Sequence, residues 1–252
     1  MFFTIIVQPL LNILFFLYAV IPGHDYGVAV ILLTVLVRLV LWPLASKQLH
    51  SQKKMTAIQP EVNRLKNKHK KDSQKFNAAV MELYKEKEVN PFSSCLPTVL
   101  QFPFLIGLFY VFLKFKNPDF LKLTPEGILK DIYPFIQNFG PVKVFISAHS
   151  AVSTTLLGFM DLAKPSIALA LVAGALQFVQ SKMLMPKEKG ADSQSALTSQ
   201  MTYLFPVLTV FIAWKLPAAL PLYWSVTTLF AVGQQYLIMH RDIEVLEEGK
   251  KK

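Results

Sequence analysis

Long apolar stretches alternate with short polar ones along this chain, at a spacing that predicts helices crossing a membrane. Residues 27–45, GVAVILLTVLVRLVLWPLA, are nearly all apolar. At about 1.5 Å per residue they reach roughly 28 Å, close to the roughly 30 Å of a bilayer's hydrocarbon. Similar stretches follow at 91–115, 165–185, 201–215 and 220–240. The pattern predicts an all-α polytopic membrane protein, a single membrane domain over 1–252 with five spans. The fourth span is short, about 21 Å of helix, so local thinning of the bilayer or shelter from neighbours is expected there. Residues 1–21 are apolar too, interrupted by Gln8, Pro9 and Asn12 and without Lys or Arg. They lack the basic start of a cleavable signal peptide. The segment either lies in the outer interface or makes a spanning hairpin with the next helix. Gln8 and Asn12, four apart on one face, favour the interfacial form.

The connections carry the charge. Residues 47–90 hold eleven Lys or Arg against five Asp or Glu, which places the segment in the cytoplasm by the positive-inside rule. It reads as an antiparallel helical hairpin joined near 67–72. Pro60 interrupts its first helix, and Asp72 or Ser73 caps its second. Phe76, Val80, Leu83 and Tyr84 form an apolar stripe expected to pack on Ile58, Val62 and Leu65. The loop 116–164 has five Lys against four acidic residues, nearly neutral as an outside loop should be. Its apolar pieces, 128–136 and 142–160, are expected as short helices along the outer surface. A polar connector at 186–200 and a charged tail at 241–252 are expected in the cytoplasm.

Composition narrows the class. With 252 residues, 53% of them hydrophobic and 20 Phe, the chain is no ordinary soluble domain. The formal charge of +10 is concentrated in the hairpin, whose basic surface suits lipid headgroups, ribosomal RNA or acidic client segments. No DNA partner is implied. Cys95 is the only cysteine and the five histidines show no ligand spacing, so no metal site is expected. No Gly-rich phosphate loop or paired carboxylates appear, which leaves nucleotide hydrolysis and acid/base catalysis without support. No cofactor is expected, and the chain does not read as an enzyme.

The candidate chemistry is one arginine. Arg38 sits inside the first span, where a charge costs roughly 2.5–3.5 kcal/mol on insertion scales. Thr34, Arg38 and Trp42 share a helical face. The guanidinium either snorkels to nearby headgroups or faces a wet cavity that attracts acidic groups. No acidic residue lies in the apolar stretches to pair with it, which favours the cavity. Thr98 and Gln101 on the second span, and Gln177, Gln180 and Ser181 on the third, mark further polar faces. If these faces converge, they make a hydrophilic groove.

Three stretches then carry a resemblance: LLTVLVRLVLWPLASKQ at 32–48, YKEKEVNPFSSCLPTVLQFPFLIGLFY at 84–110 and FPVLTVFIAWKLPAALPLYWSVTTLFAVGQQYLI at 205–238. They resemble the YidC family of bacterial membrane protein insertases. The resemblance implies a five-span core in the bacterial plasma membrane, with a hydrophilic groove open to cytoplasm and lipid but closed outside. Arg38 matches the family's groove arginine and Trp224 a groove-lining aromatic. Gln177 resembles a groove glutamine, a place that Gln180 or Ser181 could also hold. Thr34, Thr98 and Gln101 join the groove by helical face alone. The implied activity is nucleotide-independent insertion of small membrane proteins. Its partners would be nascent membrane proteins and membrane lipids, with the Sec translocon and ribosome as candidates. Relative to the family, the chain is expected to lack the extra leading span and large external domain of Gram-negative members. The competing readings are an anion or small-solute transporter and a translocon accessory subunit without its own activity.

Overall fold

The computed structural model describes residues 1–69, 72–90, 96–184 and 193–249, with backbone alone for 96–100, 184, 193–202 and 239–249. A wide turn over Phe3–Val7 runs without a break into α1, Gln8–Val20. Phe3–Val20 is, among the described residues, the one helix long and apolar enough to cross a membrane unbroken. Of the two polar side chains on its shared face, Asn12 does not reach solvent. Asn12 is 1% exposed, and its Nδ2 donates to Gln8 O (2.8 Å) and Asp131 O (2.9 Å) while its Oδ1 accepts from Tyr133 N (2.6 Å). The polar side chain that suggested an interfacial helix is engaged as a clamp on residues 131–133.

After a short turn comes α2, Tyr26–Val40, capped by Asp25, whose Oδ1 accepts from Val28 N at 2.8 Å. The helix stops at Leu41, and α3, Trp42–Ala57, leaves at 64° to it. The cause is Pro43, which has no N–H to donate and whose ring crowds the carbonyl four residues back. Held in the first turn of α3, the same proline is well tolerated. The predicted span 27–45 is therefore broken four residues before its predicted end.

The basic segment continues as α4, Gln59–Lys68, and α5, Ser73–Glu86. Pro60 lies in the first turn of α4, and Asp72 caps α5 by accepting from Lys75 N at 3.0 Å. Ile58, Val62, Leu83 and Val89 are buried where the two helices meet, and Lys87 pairs with Glu61 at 3.1 Å. Cys95 lies outside the described residues.

The third long apolar helix, α6, covers Leu96–Lys114 with Pro103 inside it. Beyond it the loop makes a tight turn at Ile128–Asp131, then α7, Pro134–Gln137, and α8, Gly140–Ala148. Helix was expected to continue to 160. Instead β1, Thr155–Leu156, pairs antiparallel with β2, Met160–Asp161. In the three-residue loop 157–159 that joins them, Leu157 (φ 48°) and Gly158 (φ 75°) both sit in the left-handed region, and Phe159 N donates to Leu156 O at 3.2 Å. Leucine is a poor signal for that turn. Here Asp25 Oδ2, on the other side of the contact, accepts the Leu157 N–H.

The remaining helices are α9, Ile167–Leu184, α10, Ser193–Ala213, and α11, Ala219–Gly249. α10 begins eight residues before the predicted fourth span, because the polar run 193–200 continues the helix; its apolar part is Tyr203–Ala213. Most of the predicted connector 186–200 lies outside the described residues or is described as backbone only, and the same holds for the tail 241–252. α11 packs on α2 and α9, and α9 on α10. Gly174 sets the last spacing: a Cβ there would strike the Val210 side chain and the Pro206 carbonyl. The main core is shared by α1, α2, α6, α11 and the loop, with Leu14, Phe15, Leu33, Leu108, Phe112 and Ile128 among its most buried side chains.

Asn12→Leu deletes the clamp and strands the Asp131 carbonyl and Tyr133 amide. The expected cost is roughly 2–4 kcal/mol, seen as a lower melting temperature in detergent and faster proteolysis within 128–139. An unchanged melting curve would show that the clamp is not holding the loop.

Candidate functional site: a polar cavity at the helix break

The break at Leu41 gathers polar side chains from five helices. A cavity of about 250 Å³ is bounded by Arg38 of α2, Gln48 and Gln52 of α3, Gln101 of α6, Gln180 of α9, and Gln234 and Gln235 of α11. Leu41, Leu44, Ala45, Leu49 and Ala231 fill in between. One guanidinium and six carboxamides therefore face one space, and no carboxylate is among the described lining residues.

Two hydrogen-bond sets hold the walls. Gln234 Nε2 donates to the Trp42 carbonyl (3.3 Å) and to Ser46 Oγ (3.1 Å), tying α11 to the first turn of α3. Trp42 packs edge-on against Phe230 at 5.7 Å between ring centres, and Lys53 Nζ donates to Ile238 O at 3.3 Å. On the outer side, Gln101 Nε2 donates to the Tyr223 hydroxyl at 2.8 Å. Tyr223 is buried and lies close enough to Arg38 to interact with it electrostatically.

Arg38 itself is half-buried, its Nε is shielded from solvent, and that atom has no hydrogen-bond partner among the described residues. No described carboxylate forms an ion pair with it. A guanidinium so placed keeps hydrogen-bonding capacity for water, an anion or a carbonyl entering the cavity. A carboxamide combines donors and an acceptor without charge; Gln234 and Gln101 spend donors on the walls, and the lining as a whole is a surface able to pair with peptide groups regardless of sequence.

Of the residues proposed from sequence, Arg38, Gln101 and Gln180 line the cavity. Thr34 does not: it is 1% exposed and its Oγ1 donates to Val30 O at 2.7 Å, so its hydroxyl is consumed within α2. Gln177 and Ser181 are half-buried and outside the described lining. They share the face of Gly174, and that face meets α10; Gln180 is turned away from it toward the cavity. Trp224 packs on the main core. It lies on nearly the same side of α11 as Gln235 but about 16 Å further along the helix. The Thr98 side chain lies outside the described residues. Gln48, Gln52, Gln234 and Tyr223 were missed. The signal for Gln48 and Gln52 was their four-residue spacing, hidden because they fall in the segment read as part of a separate hairpin.

Taken together, the structure is a mostly helical protein whose apolar helices enclose a polar cavity lined by carboxamides and one half-buried arginine. Comparison with known proteins specifies it further. Residues 16–245 match the family model described as 60Kd inner membrane protein, and the chain belongs to that family. It is 36% identical over 216 residues to the membrane protein insertase YidC of Clostridium tetani, covering 86% of this chain and 82% of that one. To the membrane protein insertase MisCA of Bacillus subtilis it is 33% identical over 250 residues, 98% of this chain and 82% of the relative. A longer relative, YidC of Oleidesulfovibrio alaskensis, is 33% identical over 245 residues, which are 39% of its length.

Tyr223→Phe removes the acceptor of the Gln101 amide inside the packed end of the cavity. Stability in detergent should fall by about 1 kcal/mol, read from the denaturation midpoint. A midpoint equal to that of the parent would mean that water replaces the hydroxyl there.

Proposed function

We propose that the protein is a membrane protein insertase: it receives small nascent membrane proteins in the cavity around Arg38 and releases their apolar segments into the bilayer. The observation that carries the reading is the cavity's chemistry: one guanidinium with no ion-pair partner among the described residues, six carboxamides and no described carboxylate in the lining. Membership of the family and the names of the relatives support it.

The physical task is to move a polar tail through hydrocarbon, where each unsatisfied backbone group costs several kcal/mol. In the proposed arrangement α2, α6, α9, α10 and α11 are the five spans of a bacterial plasma membrane protein, with α1 beside them. The hairpin of α4 and α5 and the tail end of α11 lie in the cytoplasm, following the excess of positive charge. α2 has 15 residues, about 22 Å of helix, so the cavity that begins at its end lies within the thickness of a bilayer of roughly 30 Å. The apolar part of α10 is shorter still. A polar tail entering from the cytoplasm thus finds hydrogen-bond partners part-way across, and the dry distance left is reduced.

Arg38 pairs with an acidic side chain or a peptide carbonyl of the client, and the glutamines pair with its backbone. The client's apolar segment meanwhile moves into lipid beside α9 and α11. Burying that segment, at about 25 cal/mol per Å², drives the step without nucleotide. The exposed apolar residues Leu171, Val172 and Val179 of α9 and Leu229 of α11 supply the lipid-facing path. The basic hairpin offers headgroup, client or ribosome contacts, and the Sec translocon is a candidate neighbour.

The test is insertion of a two-span client, made in a cell-free system without added energy for transport, into liposomes with and without the purified protein, scored by protease protection of the client loop. Protection that requires the protein is expected. Equal protection in empty liposomes would favour an accessory role within a larger translocon. Arg38→Ala should reduce insertion of clients with acidic tails by roughly tenfold, the worth of one charge-assisted hydrogen bond, and of neutral-tailed clients much less. Equal loss for both would remove charge pairing from the mechanism.

A further inference from the structure

Two adjacent glutamines of α11 line the polar cavity, and their amides are used differently. Neighbouring residues of a helix point about 100° apart. Gln234 turns toward α3, where its Nε2 donates to the Trp42 carbonyl and to Ser46 Oγ. A backbone carbonyl only accepts, so the orientation of that amide is fixed. Gln235 is only 4% exposed, yet its side chain makes no hydrogen bond among the described residues. Unlike Arg38 Nε, its amide is not shut off from solvent, and the space through which it is reached is the cavity it lines.

A buried carboxamide without a protein partner destabilises a fold. Leucine at the same position would occupy similar volume without that penalty, so the use of the amide lies in what enters the cavity. Its donor and acceptor lie on one rigid plane. In an extended chain the N–H and C=O of one residue point to the same edge, the arrangement by which paired strands exchange two hydrogen bonds. In an α-helix both groups are already bonded to residues four away. A carboxamide therefore finds partners on an extended chain and none on a helical one. No charge takes part in the pairing.

We propose that Gln235 binds the backbone of the client's polar tail, and that it takes the tail as extended chain, while Gln234 beside it is committed to the cavity wall. The inference rests on the insertase reading and adds to it the conformation in which the tail is accepted and a residue that accepts it.

The test is protease-protected insertion into liposomes by the full-length protein, with Gln235→Leu and Gln234→Leu beside the parent and melting temperatures measured in detergent. Gln235→Leu should slow insertion about fivefold, the worth of one hydrogen bond, equally for acidic and neutral tails and with the melting temperature retained or raised. Gln234→Leu supplies the contrast: it removes two bonds between α11 and α3 and should melt earlier. A neutral tail locked as a helix by a side-chain lactam should insert at the same rate with the parent and with Gln235→Leu. Unchanged insertion by Gln235→Leu, a loss confined to acidic tails, a melting temperature lowered as far as that of Gln234→Leu, or the same fivefold loss for the locked tail would each overturn the proposal while the parent still inserts. A parent no better than empty liposomes would overturn the insertase reading, and this inference with it.

Discussion

The bonds from Gln234 to the Trp42 carbonyl and the Ser46 hydroxyl close the side of the bend that Pro43 opens. Gln234 adds a side-chain donor to the first turn of α3, which fixes α3 beside α11 just after the bend. The wall formed by Gln48 and Gln52, and the enclosure around Arg38, depend on that attachment.

A second constraint acts at the opposite end of the chain's apolar helices. The loop between α6 and α9 has to lie against α1, and it brings backbone N–H and C=O groups with it. Asn12 takes up Asp131 O and Tyr133 N, Gln137 takes up Leu129 O and Ile132 O, and Asp25 joins the β1–β2 turn to the start of α2. That end is therefore closed by side-chain amides and carboxylates spent on loop backbone. At the Arg38 end the carboxamides of Gln48, Gln52 and Gln235 instead line a cavity.

The family and the helical class were legible because both rest on long runs of sequence: apolar stretches of membrane length, a basic segment between the first two, and motifs in order. Arg38, Gln101 and Gln180 were legible as polar residues in apolar surroundings. The same argument also selected Thr34, Gln177 and Ser181, which are not among the described lining residues. A hydroxyl can be satisfied by its own helix, as Thr34 is at Val30 O, and a polar residue on the face of a close-packing glycine is turned toward the neighbouring helix. Helical periodicity reports which residues share a face and not which face meets the cavity.

The sequence by itself determined the apolar helices, the arginine inside one of them, the proline that breaks α2 from α3, and the absence of any acidic residue from the apolar stretches. These follow from residue type and spacing, through properties each helix has alone. Only the tertiary structure decided that Asn12 is a clamp and not part of a wet stripe, that the residues after the break fold back as a wall, and that Gln234 and Tyr223 hold the two sides of the cavity. Each of those depends on a partner more than a hundred residues away. Contacts of that range are set by the packing of helices on one another, which local spacing does not encode.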